Sequence, residues 1–312
     1  MNRTRLWLAI ALLGLPFCAH AVDPPSCDTV RFADVGWTDI TVTTAVTRLV
    51  LGELGYGTQV KRLSVPDTYK ALQGKQIDVF LGNWMPSMEN DIKPYTENGS
   101  VQTLGANLEG AKYTLAANQS AREGGLNNFT DIARFKTELS GKIYGIEPGN
   151  DGNKLIARMI DENAFGLADF TLVESSEAGM LSQVRRADTL KQWAVFLAWE
   201  PHPMNNSVHP HYLDGGDEYF GPDYGGATVY TNVRAGYAEE CANVGRFLKN
   251  LRFSLQMEND LMTAILNQST NRRREAKAWL LANPQTVASW LEGVTRRDGS
   301  AAGQLFDSAK SP

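Results

Sequence analysis

From residue 28 onward, short apolar runs alternate with stretches of helical periodicity, the signature of an α/β architecture with largely parallel sheets. Val30 to Val35 reads as a strand. Val42, Ala45, Val46, Leu49, Val50 and Leu54 then recur at helical spacing until Gly55-Tyr56-Gly57 stops them. A strand over Thr58 to Leu63, a short helix over Asp67 to Gln73 and a strand over Ile77 to Leu81 complete a β-α-β-α-β unit. After the turn-rich stretch Pro94 to Ser100, the strand-like Ala111 to Ala116 leads into a second series. That series predicts strands at Lys142–Ile146, Phe170–Glu174 and Ala194–Ala198, with helices at Lys154–Ala164 and Glu177–Lys191. Pro201 to Gly226 is rich in turn residues, Ala227–Val233 reads as a strand returning to the first unit, and Tyr237 to Leu291 is helical.

Two lobes follow from this order: residues 22–111 and 207–312 as a discontinuous lobe I, and 112–206 as lobe II. Two crossings between lobes predict a clamshell with its ligand in the cleft. A length of 312 residues agrees with two cores.

The first 21 residues change the picture of the compartment. Arg3 and Arg5 precede the apolar run Leu6 to Phe17, and Ala19-His20-Ala21 offers small residues at a cleavage site, the layout of a secretory signal peptide. Pro16 interrupts the run, which is also shorter than the roughly 20 residues a spanning helix needs. Pro16 and Phe17 before Cys18 argue against a lipoprotein site. Thirty basic against 35 acidic residues give a net charge of −5, and loss of Arg3 and Arg5 makes the mature chain more acidic still. That balance lacks the electrostatic footprint of a nucleic-acid binder. Cys18 leaves with the leader, so Cys27 and Cys241 remain as an even pair in an oxidising periplasm, where a disulfide is expected.

Three tryptophans carry the candidate chemistry. Trp37, Trp84 and Trp199 each stand just beyond the carboxyl end of a predicted strand, where open α/β sheets bind their ligands. Trp193, Trp279 and Trp290 fall in helical or strand-face patterns and read as packing. Aromatic rings around a cleft suit a cation that cannot donate hydrogen bonds, such as a quaternary ammonium. A sugar is the rival ligand, but the polar residues beside the three indoles are few. Asp39 and Asn150 are the two that look specific, although Asp39 can equally cap the following helix and Asn150 can be a turn residue. Facing a cleft, they hold a hydroxyl group, and the carboxylate adds a counter-charge while repelling a carboxylate ligand.

The segments VGWTDIT, FLGNWMPSM, AKYTLA, EPGNDGNK and FLAWEPHPMN resemble the choline-binding proteins of ABC transporters, within the glycine betaine/proline substrate-binding family, across essentially the whole mature chain. The resemblance implies a type II periplasmic-binding-protein clamshell and an aromatic box of Trp37, Trp84, Trp199 and Tyr113. It also implies a choline hydroxyl held by Asp39 and Asn150, and membrane permease and ATPase partners. Glycine betaine and acetylcholine are the alternative ligands, and Asp39, an acceptor, favours choline. No cofactor is expected. Metal binding by His202, His209 and His211 and hydrolysis are the rival classes. Turn residues explain the histidines, and the chain contains no G-x-S-x-G elbow, phosphate loop or dinucleotide fingerprint.

Overall fold

The computed structural model describes residues 22–267, 272–303 and 305–306; the expected leader and Cys18 lie outside the described residues. Strands β1 (Thr29–Asp34), β2 (Gly57–Arg62) and β3 (Val79–Met85) are separated by helices α1 (Thr38–Glu53) and α2 (Val65–Gln73). They pair in parallel, with β1 between the other two. Strands β5 (Lys142–Tyr144), β6 (Thr171–Val173) and β7 (Val195–Glu200) repeat the arrangement, with β5 between β6 and β7. The helices Asp151–Asp161 and Glu177–Thr189 are their connections. Both third strands, VFLGNW and VFLAW, are buried along their length, as continuous apolar runs covered on both faces should be.

The long strand β4 (Val101–Ala117) and β9 (Gly226–Arg234) join the two halves. β9 lies antiparallel between β3 and β4, and the far end of β4 lies antiparallel to β7. One curled nine-stranded sheet therefore runs through both halves in the order β2-β1-β3-β9-β4-β7-β5-β6. The short strand β8 (His211–Tyr212) pairs with Ala116 and Ala117 at the end of β4.

Three expectations are corrected by packing. Helix α3 (Glu89–Glu97) occupies the start of the stretch read as turns and contains Pro94. Burial of Ile92 and stacking of Tyr95 on Tyr69, with ring centroids 5.5 Å apart, offset the hydrogen bond the proline cannot donate. Strand β4 starts ten residues earlier than the pattern predicts, because three register shifts against β9 between Thr103 and Ala111 repeatedly reset its inside–outside alternation. β3 continues past Leu81 because Asn83, polar yet buried, accepts a hydrogen bond from the Tyr69 hydroxyl at 3.0 Å.

Cys27 and Cys241 are joined in a disulfide, with Cα atoms 5.7 Å apart and a sequence separation of 214. Both are fully buried, and the bond fastens the entrance to β1 to the start of helix Ala242–Asn250. Reduction, or replacement of both cysteines by serine, should lower unfolding free energy by about 2–5 kcal/mol in denaturant titrations without abolishing the fold.

Candidate ligand-binding site

Each tryptophan position is set by the end of a strand. β1 closes at Asp34, whose carboxylate accepts the Gly36 N–H at 2.7 Å, and Gly36 turns the chain with φ +101°, a conformation that favours glycine. Trp37 follows as the residue before α1. Trp84 and Trp199 are the penultimate residues of β3 and β7 rather than lying beyond them, since both strands extend further than their sequence patterns indicate. Each is followed by one residue and then a cis proline, Pro86 or Pro201. Tyr113 on β4 stands directly opposite Trp199 on β7, a cross-strand pair.

These side chains meet around a cavity lined by Trp37, Asp39, Trp84, Tyr113, Ile146, Asp151 and Trp199. Tyr113 is central, with its ring centroid 6.0 Å from that of Trp84 and 6.2 Å from that of Trp199. Space for it depends on Gly152, where a Cβ would lie 2.2 Å from the Tyr113 hydroxyl oxygen. All four rings are at least 94% buried.

The donors of three rings are already committed. Trp37 Nε1 donates to Glu147 Oε1 at 2.9 Å, Trp84 Nε1 to Asp39 Oδ2 at 3.2 Å, and the Tyr113 hydroxyl to Asn150 Oδ1 at 2.8 Å. Burial, reinforced by Asp151 and Glu147, holds the Tyr113 phenol well above its ordinary pKa, so it remains a donor. The acceptors are in the opposite condition. Asp39 Oδ1 and Asp151 Oδ2, both buried in the cavity wall, have no hydrogen-bond partner.

Burial pushes the Asp39 carboxyl up to about 7; the Glu177 charge adds to this, while the Ile40 amide and Trp84 indole oppose it. Asp151 is likewise raised by burial to about 7, with Ser87 opposing and Asp91 and Glu147 adding. A pocket of aromatic faces and two under-bonded carboxyl groups is suited to a cation that also carries a hydrogen-bond donor.

Asn150 does not line the cavity. It caps helix Asp151–Asp161, accepting the Asn153 N–H at 3.1 Å, while its Nδ2 donates to Asp151 Oδ1 at 3.1 Å. This cap starts the helix earlier than the periodicity indicates and puts Asp151, absent from the sequence reading, in its first turn. Asp39 is in the first turn of α1, two residues past the N-cap position it would need to cap that helix with its own side chain.

Two further residues were not legible in the sequence. Glu147 holds Trp37, and Glu177 accepts the Thr38 N–H at 2.8 Å together with the Thr38 hydroxyl. Only a fold that brings positions 139 residues apart into contact exposes the second role.

The remaining sequence candidates have other surroundings. Trp279 stacks on Trp290, and Trp193 packs against Phe135. His202 is buried beside Glu177, and His211 meets Asn127 Oδ1 at 3.1 Å. Among the described residues the one grouping with metal-ligand spacing is Cys27, Glu240 and Cys241, and its two sulfurs are consumed by the disulfide.

Comparison with known proteins bears on this cavity. A family described as the substrate binding domain of ABC-type glycine betaine transport systems matches residues 28–282. An ABC-transporter choline binding protein in complex with choline is 58% identical, with TM-score 0.90 over 92% of this chain and 99% of that one. An ABC-transporter choline binding protein in an unliganded semi-closed conformation, also 58% identical, gives 0.84 over 90% and 97%. The glycine betaine/carnitine transport binding protein GbuC of Listeria monocytogenes is 28% identical over 162 residues, 52% of this chain and 53% of that protein.

The raised carboxyl groups make the ligand-free protein pH-sensitive. Between the ordinary carboxylate range and about 7, the folded state holds protons that the unfolded chain releases. The stabilisation from these two groups is therefore complete at low pH and is lost as pH rises through 7. Ligand-free protein should lose stability between pH 5 and pH 8 in denaturant titrations, and Asp39→Asn should flatten that dependence.

Proposed function

Because the chain belongs to the family of substrate-binding domains of ABC-type glycine betaine transport systems, we propose that its aromatic cavity captures choline and presents it to a membrane permease driven by an ATPase. The protein is a transporter binding protein and not an enzyme, and its family is extracytoplasmic. The signal-peptide reading of residues 1–21 supports a periplasmic address, and among the described residues no helix is long and apolar enough to cross a membrane.

One observation carries the choice of ligand: two orphaned carboxyl oxygens face a cage in which the donors of three of the four rings are already committed. The trimethylammonium group needs no hydrogen bond and is attracted by the faces of Trp37, Trp84, Tyr113 and Trp199, each contributing about 0.5–2 kcal/mol. The choline hydroxyl supplies the donor that Asp39 lacks. Asn150 serves the same end of the reading by fixing Tyr113 and Asp151. Glycine betaine shares the ammonium group but brings a carboxylate, which the two wall carboxyl groups repel when the bound cation holds them ionised. Support also comes from the 58% identity with an ABC-transporter choline binding protein in complex with choline.

Capture is a hinge closure between lobe I and lobe II, of the kind used by periplasmic binding proteins. The sequence pattern divides the lobes as residues 22–111 and 207–312 against 112–206. The pairing of β8 with the end of β4 and the Tyr219–Glu162 hydrogen bond favour a return crossing nearer Gly226 than residue 207.

Calorimetric titration should give choline an affinity at least tenfold above that of glycine betaine, a gap of about 1.4 kcal/mol or more. Equal affinities would overturn the donor argument. Trp84→Ala should cost about 1–2 kcal/mol or more of choline binding. Choline binding near pH 7 should release protons, read from the dependence of the binding heat on buffer ionisation enthalpy, and affinity should fall as pH drops below 7.

A further inference from the structure

Helix α1 begins without a cap of its own. The residue at its N-cap is Trp37, whose side chain accepts no hydrogen bond from the first turn, so the Thr38 N–H needs an acceptor from elsewhere. Glu177 provides it from the opposite half of the molecule. Its Oε2 accepts the Thr38 N–H at 2.8 Å, and its Oε1 accepts the Thr38 hydroxyl. The same carboxylate reaches the cage from the other side. His202 Nδ1 accepts the Met204 N–H at 2.9 Å, which leaves the ring proton on Nε2, 3.2 Å from Glu177 Oε1. The His202 ring packs edge-on against Trp199, with centroids 5.1 Å apart.

We propose that Glu177 is a positioning residue for ligand capture, capping α1 in trans when the lobes close and so locking the Trp37 and Trp199 walls of the cage against each other. This rests on the functional reading above, since Thr38 and Glu177 fall in different lobes of that clamshell. Glu177 does not line the cavity. Its action is on the closed state, whose opening breaks both Thr38 bonds at once. Trp37–Glu147 and the ion pair of Lys154 with Asp91 span the same divide, but neither completes a helix terminus and touches a second wall. Burial disfavours charge on Glu177, yet its bonds to His202 and Thr38 outweigh that and keep it ionised, as a strong cap requires.

The test is the choline dissociation rate, followed by stopped-flow tryptophan fluorescence in Glu177→Ala, Glu177→Gln, Thr38→Val and the double variant Thr38→Val/Glu177→Ala. Glu177→Ala should release choline about tenfold faster, as loss of a charged cap implies, with the association rate changed far less. Thr38→Val, a near-isosteric change that keeps the fold, should release it faster by a smaller factor, and the double variant should be no faster than Glu177→Ala alone. A wild-type dissociation rate in Glu177→Ala would overturn the proposal. Equal losses in Glu177→Ala and Glu177→Gln with no effect of Thr38→Val would also overturn it, since only the electrostatic attraction of Glu177 for the cation would remain. If wild-type protein binds neither choline nor glycine betaine, the functional reading fails by itself. The trans cap is then judged by small-angle scattering of ligand-free protein, where Glu177→Ala must raise the radius of gyration and an unchanged radius overturns the cap.

Discussion

An unpaired carboxyl oxygen inside an aromatic box is the constraint on which this molecule turns. Taking a carboxylate out of water costs several kcal/mol unless partners replace its hydration, and Asp39 has a partner for only one of its oxygens. Its place in the first turn of α1 offsets part of that cost through the positive end of the helix dipole. The rest stays unmet while the cavity is closed and empty. In the proposed function a cation with a hydroxyl group meets it, which makes closure and capture thermodynamically one event. Opening the cleft lets water return to Asp39 and Asp151, so ligand-free protein exchanges between open and closed forms, and the ligand shifts that exchange toward the closed form by supplying the missing charge and donor.

The sheet makes that coupling mechanical. β4 pairs with β9 along its first two-thirds and with β7 along its end, so it belongs to both halves. Tyr113 lies at the handover, with Trp84 on one side and Trp199 on the other. Trp84 and Trp199 occupy matching places in the two third strands, each two residues before a cis proline. The cage is thus the meeting point of two similar half-sheets, and Tyr113 on the shared strand is the ring least able to shift relative to either.

Much of this was legible in the sequence, and the exceptions share a cause. Strand and helix order, the disulfide and five of the seven cavity-lining residues follow from periodicity, Cys parity and tryptophans at strand ends, with Tyr113 reached through family resemblance. Local pattern failed where a tertiary contact overrode it. Pro94 sits in a helix because Tyr95 stacks on Tyr69, and the bulges of β4 are set by the neighbouring β9. Asp151 was hidden because a helix start is uncertain until its cap is identified, and Asn150 is that cap. Glu177 carries no local signal at all: in sequence it is an ordinary acidic residue in the first turn of a helix, and its second partner is Thr38.

The hydrogen bonds that hold the rings also define what the cage refuses. Trp37 is tied to Glu147, Trp84 to Asp39 and Tyr113 to Asn150, so each bond that fixes a ring face toward the cavity also removes a donor from it. A cavity built this way attracts positive charge by its faces and accepts protons at its orphaned oxygens, yet has little to offer an anionic group. Selectivity between two ligands with the same ammonium head then comes from the unfavourable burial of the wrong tail, which is generally a sharper discriminator than an added contact. Aromatic positions alone therefore identify the class of cation, and the partners of their N–H and O–H groups identify which member of that class the site can retain.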